Sequence, residues 1–206
     1  MADSVDLLVI TAPGLSARLL MQEPSPAPGL AALARTWDVA TVIPVLPLTR
    51  AAIQATYLTG YLPSFHGVQE EGDTLKLPPF WEAARSVRVE ARGLAGVAGR
   101  AWPRQAGANC RWFSLSDTLA PDPATLDDTV AALLQGWAGA VAIVGEFALL
   151  DDEPAGPEAD PLDRPLLLTR GLDQPKACLG ACEIAGVLQR ALTGERLYDR
   201  ADGSLP

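Results

Sequence analysis

Apolar positions in this chain form short unbroken runs, separated by stretches in which they recur at helical spacing. Val5 to Ile10, "VDLLVI", ends at Pro13-Gly14, the pattern of a buried parallel strand feeding a helix. A helix is predicted near Leu15 to Met21, then, after the proline-rich "EPSPAPG", a second at Leu30 to Thr36. "DVATVIPVL" predicts the next strand, stopped where Pro44 and Pro47 remove backbone donors. Thr49 to Thr59 reads as a helix with Thr49 as N-cap and Gly60 as its stop. "PPFWEAARS" reads as a helix with prolines in its first turn, and "VRVEARGLAGVA" as a strand running into glycine-rich chain.

Further along, Arg111 to Leu115 gives a short strand. Leu126, Val130, Leu133, Leu134 and Trp137 fall on one helical face within Pro123 to Trp137. "GAVAIVGEFALL" is the most apolar strand candidate, followed by an acidic, proline-containing loop at about 151–165, a strand "PLLLT", and a helix across Cys178 to Leu192. This alternation predicts a three-layer α/β/α sandwich on a mostly parallel sheet. We expect one domain over residues 1–206.

Composition narrows the function classes. With 49% hydrophobic and 20% charged residues the chain should fold. Its net charge of −9, with basic residues scattered singly, opposes nucleic-acid binding, which needs a clustered basic face. No run approaches the roughly 18 apolar residues of a membrane span, and "MADSVDLLVITAPGL" lacks the positive flank of a signal peptide. Membrane partners are therefore not expected, and the expected location is cytoplasmic. Cys110, Cys178 and Cys182 are an odd set without framework spacing, which suits reduced thiols; the alternative is a Cys3His zinc site completed by His66.

The segments "VDLLVITAPGLSARLL", "PAPGLAALART", "VLPLTRAAIQATYLTGYLPSFHGV" and "FWEAARS" carry a family resemblance. Their order and spacing resemble the alkaline-phosphatase superfamily, most of all its type I phosphodiesterase and nucleotide-pyrophosphatase branch. The most specific piece is "ATYLTGYLP..HG", Ala55 to Gly67. "GAVAIVGEFA" and "RPLLLTRGLDQPKACLGACEIAGVLQRAL" resemble later family segments, so the likeness touches both ends of a shortened chain. The resemblance implies an alkaline-phosphatase-like core. It also implies two divalent ions, usually zinc, held by Asp and His, one of them activating a Thr or Ser nucleophile.

This sequence departs from that pattern where the chemistry sits. Thr11, Ala12 and Pro13 stand where the family has a metal-binding Asp after the first strand. Aligning "QATYLTG" puts Arg50 at the nucleophile position, with Thr49 one residue earlier; one residue at a helix start turns a side chain by about 100°. Gly145, Glu146, Phe147 and Ala148 replace the Asp-His-Gly motif, leaving Glu146 as a lone carboxylate. The chain's one histidine, His66, lies in the "HG" turn and is read as a turn-bonding residue rather than a base.

These departures define the expectations. The leading one is a non-catalytic, phosphodiesterase-like core that needs no cofactor and serves as a binding or protein-interaction module, with a protein partner or a second copy covering an exposed edge or apolar face. The alternative is a remodelled metal-dependent phosphodiesterase or phosphatase-type hydrolase using Thr49, with Glu146 holding zinc or manganese. A third is a phosphate or nucleotide binder in which Arg50 and Thr49 at a helix start hold the anion, set against an ordinary ion-paired arginine. "GLAGVAG" lacks dinucleotide-loop spacing and reads as a turn. The acidic run from Asp151 to Asp163 fails the calcium-loop pattern and reads as a solvated loop.

Overall fold

The computed structural model describes residues 6–83, 87–94, 97, 102–115, 122–146, 160–173 and 177–193. Among these residues seven strands form one sheet: β1 (Leu7–Pro13), β2 (Asp38–Ile43), β3 (Val89–Arg92), β4 (Cys110–Ser114), β5 (Ala140–Glu146), β6 (Leu166–Arg170) and β7 (Cys178–Gly180). Their order across the sheet is β3-β4-β1-β5-β6-β2-β7. β6 alone runs antiparallel to its neighbours β5 and β2, and all other pairs are parallel. The expected α/β architecture on a mostly parallel sheet is therefore present.

The helices are α1 (Ala17–Met21), α2 (Pro28–Ala34), α3 (Arg50–Thr59), α4 (Pro63–His66), α5 (Pro123–Leu134) and α6 (Glu183–Thr193). Strand alternation divides their packing between two faces. Leu7 and Val9 join Ile53, Tyr57 and Leu58 of α3 and Ile184, Val187 and Leu188 of α6 in one core. Leu8 and Ile10 turn the other way, to Leu30 of α2 and Leu126 and Val130 of α5. β1 and β5 are buried on both faces, which is why their sequences read as continuous apolar runs. Asp127 of α5 ties down α2 by accepting from the Gly29 and Leu30 amides at 2.8 and 2.6 Å.

Two predicted elements need correction. Of "PPFWEAARS", residues 84–86 lie outside the described residues; the described part forms a 3-10 turn, Phe80–Ala83, whose Phe80 and Trp81 pack edge-on at 5.0 Å between ring centroids and extend to the fully buried Trp112. The helix expected across Cys178 to Leu192 begins later, at Glu183, because its first residues pair with β2 as strand β7. There Leu179 is buried beside Val42, and the Gly180 N–H donates to the Glu183 carboxylate at 2.8 Å, turning the chain into α6. Of the acidic loop at 151–165, residues 151–159 lie outside the described residues. The remainder forms a 3-10 turn, Pro161–Asp163, held to α1 by Arg18, which pairs with Asp160 and Asp163.

Candidate functional site

The C-terminal ends of β4, β1 and β5 lie under the first half of α3, and the polar groups collect there. Parallel register sets Thr11 beside Ser114 on one side and Val144 on the other, and Pro13 beside Glu146. Thr11, Ser114 and Glu146 thus project from the same face as Val9, Trp112 and Val144, toward α3. All three are buried, at 0%, 8% and 3% exposure.

Burying a carboxylate is costly unless it is hydrogen-bonded. Here Gln54, itself 1% exposed, reaches down from α3, and its Nε2 lies 2.7 Å from Ser114 Oγ and 3.1 Å from Glu146 Oε1. One turn further along α3, the Tyr57 hydroxyl donates to the Gly145 carbonyl at 2.9 Å. Burial pushes the Tyr57 phenol well above its ordinary range, and the Glu146 carboxylate adds to the shift, so the hydroxyl stays protonated and donating. Thr11 Oγ1 has no hydrogen-bond partner among the described residues.

Thr49 and Arg50 sit at the start of α3 with partners from another direction. Thr49 is the N-cap predicted for it: its Oγ1 accepts from the Ala52 amide at 3.2 Å. The same hydroxyl donates to the Gln69 carbonyl, fastening the helix start to the turn that returns from α4. Arg50 pairs with Glu71 of that turn. Asp73 braces it by accepting from the Gln69 and Glu70 amides at 2.9 and 3.0 Å, and those two donors hold its carboxyl below the usual range. At the other end Gly60 closes α3 in the left-handed conformation, φ 76°, with its N–H on Thr56 O at 2.7 Å.

His66 is fully buried behind α3. Its Nδ1 accepts from the Val68 amide at 3.1 Å, which leaves the proton on Nε2 to donate to Thr56 Oγ1, also at 3.1 Å. Burial lowers its pKa to about 4, so the ring is neutral near pH 7. The turn-bonding role read from the sequence is the role it has here. Cys110 is buried, Cys178 exposed and Cys182 between the two, all as free thiols.

Of the three residues singled out in the sequence, Thr49 and Arg50 bind the Gln69–Glu71 turn, while Glu146 is held from inside by Gln54. Gln54, Ser114 and Tyr57 were not singled out. The available signals were Gln54, a long polar side chain one position after Ile53 in α3, and the alternation Cys110, Trp112, Ser114 along β4.

A buried polar cluster at the carboxyl ends of parallel strands, beneath a capped helix, is the usual place for a ligand or active site in an α/β protein. Residues 7–88 match the family model of type I phosphodiesterase / nucleotide pyrophosphatase. The resemblance read from the sequence is borne out over that segment, which carries β1, β2, α3 and the turn after α4. Comparison with curated proteins finds no match. Among solved structures, phosphonoacetate hydrolase from Sinorhizobium meliloti 1021, in complex with phosphonoformate, is similar at 14% identity and a TM-score of 0.48. The match covers 69% of this chain and 56% of that one, so the chain spans little more than half of that protein's length.

Members of this branch use metal ions, and the donors described here do not fit a two-metal centre. Among the described residues no three His, Cys, Asp or Glu side chains are grouped to hold an ion. The residue after β1's apolar run is a threonine, both nitrogens of the single histidine are engaged, and Glu146 already accepts from an amide. Cys110, Cys178, Cys182 and His66 likewise form no such group.

Proposed function

We propose that this chain is a non-catalytic, phosphodiesterase-like domain that works as a binding or protein-interaction module. The observation that carries the reading is the use already made of Thr49. The hydroxyl nearest the family's nucleophile position spends its proton on Gln69 O and a lone pair on Ala52 N–H, and Arg50 stands in the next position. Among the described residues the hydroxyl's partners are two backbone groups, neither of which activates it for attack on a phosphate ester. The free thiols fit a reducing, cytoplasmic setting. A second copy is the proposed partner; a monomer mass in light scattering across a concentration series would remove that part of the proposal.

The test measures metal content of tag-free protein by elemental mass spectrometry and bis-p-nitrophenyl phosphate turnover in the same preparation. The expected result is substoichiometric metal and no turnover in either wild type or Thr49→Ala. Near-stoichiometric zinc or manganese, with turnover that Thr49→Ala abolishes, would overturn the proposal in favour of a remodelled hydrolase.

A further inference from the structure

We infer that Gln54 is the residue that closes this polar cluster to metal ions, its carboxamide nitrogen standing where a cation would have to bind to use Glu146. This deepens the metal-free reading above and rests on it. The two hydrogens of a primary amide are its only donors, and both have acceptors here: Ser114 Oγ at 2.7 Å and Glu146 Oε1 at 3.1 Å. With Glu146 ionised, its oxygen only accepts and therefore faces the amide nitrogen.

The surroundings are otherwise those of a small oxygen-lined cation site. Glu146 offers a carboxylate, Ser114 a hydroxyl on the neighbouring side, and Thr11 a fully buried hydroxyl with no hydrogen-bond partner among the described residues. Thr11 and Ser114 are register partners on adjacent strands, and Glu146 lies two residues beyond Val144, the partner of Thr11 on β5. Hard oxygen donors of this kind suit Mn2+ better than softer ions. With Gln54 in place its amide hydrogens meet Glu146 and Ser114, at none of the desolvation cost of a divalent ion; without it the buried carboxylate is left to a cation. A second carboxylate at position 54 would change that balance.

The experiment follows thermal unfolding near neutral pH with and without millimolar Mn2+ in wild type, Gln54→Glu, and Gln54→Glu combined with Glu146→Gln. Wild type is expected to gain nothing. Gln54→Glu should be less stable without metal and gain about 5 °C or more with it, a gain that the double variant loses. Gln54→Ala adds no charge and keeps the test readable if Gln54→Glu does not fold; it too should gain a Mn2+-dependent rise that Glu146→Gln removes. No rise in either folded variant overturns the role given to Gln54, even if wild type is metal-free and inactive. A wild-type rise that Glu146→Gln abolishes also overturns it. A wild-type rise untouched by Glu146→Gln counts instead against the metal-free reading of the domain, while the additional rise in Gln54→Glu still decides for or against Gln54.

Discussion

His66 Nε2 lies 3.1 Å from Thr56 Oγ1, a contact that binds the turn after α4 to the middle of α3 from inside the protein. Because the opposite ring nitrogen accepts the Val68 amide, protonating His66 would set two N–H groups against each other. Together with burial, this makes the charged ring unwelcome in the folded state. The pKa is about 4 when folded, against an ordinary value of 6.5, so between those values the unfolded chain binds a proton that the folded chain refuses. The stability that a neutral His66 permits is fully present above pH 6.5 and is lost as pH falls toward 4. The loss is about 3 kcal/mol at most. Since the chain has one histidine, its imidazole resonance is unambiguous in NMR. It should titrate far below 6.5, and titration near 6.5 in the folded state would mean that the ring is not held as described.

Much of this arrangement was legible in the sequence. The strands β1 and β5 announce themselves because burial on both faces leaves Leu7 to Ile10 and Ala140 to Val144 without a polar residue. The cap at Thr49, the stop at Gly60 and the turn role of His66 follow from local chemistry, since each needs only residues a few positions away. β7 was not legible: three residues pair with β2 through backbone groups that any side chain permits, and the helical spacing that follows hides the change at Cys182. The Gln54, Ser114 and Glu146 contact was hidden for a different reason. It joins residues 60 and 92 positions apart, and only the sheet order, which sets β5 and β4 on either side of β1, brings them together.

The three thiols should differ in reactivity by their surroundings. Burial pushes the Cys110 thiol up to about 12, so its nucleophilic thiolate is scarce as well as shielded. Cys182 is half-buried and also raised, first by burial and then by the neighbouring Glu183 carboxylate. Cys178 is exposed at the sheet edge. In native protein treated with iodoacetamide near pH 8, peptide mass spectrometry should find Cys178 modified first, Cys182 more slowly, and Cys110 only after denaturation. Early modification of Cys110 would contradict its position in the core beside Trp112.

Gly145 is the point at which the candidate site is most sensitive to a single methyl group. It precedes Glu146 on β5, its carbonyl accepts the Tyr57 hydroxyl, and the first turn after β1 crosses directly over it. A Cβ built there would lie 2.3 Å from the Leu15 carbonyl oxygen and 2.9 Å from the Leu166 amide nitrogen. Those two atoms are hydrogen-bonded to each other at 3.1 Å, so neither can yield without opening a backbone contact between β6 and the turn after β1. Overpacking against backbone of this kind costs roughly 2–4 kcal/mol, more than a flexible side chain in the same place would impose. Gly145→Ala should therefore lower the midpoint of urea unfolding by that amount with little change in slope. Displacing β5 here also moves Glu146 away from Gln54, so the variant should become less sensitive than wild type to Gln54→Ala. A full additive loss in the double variant would show that the close approach at Gly145 and the Gln54 bridge are independent.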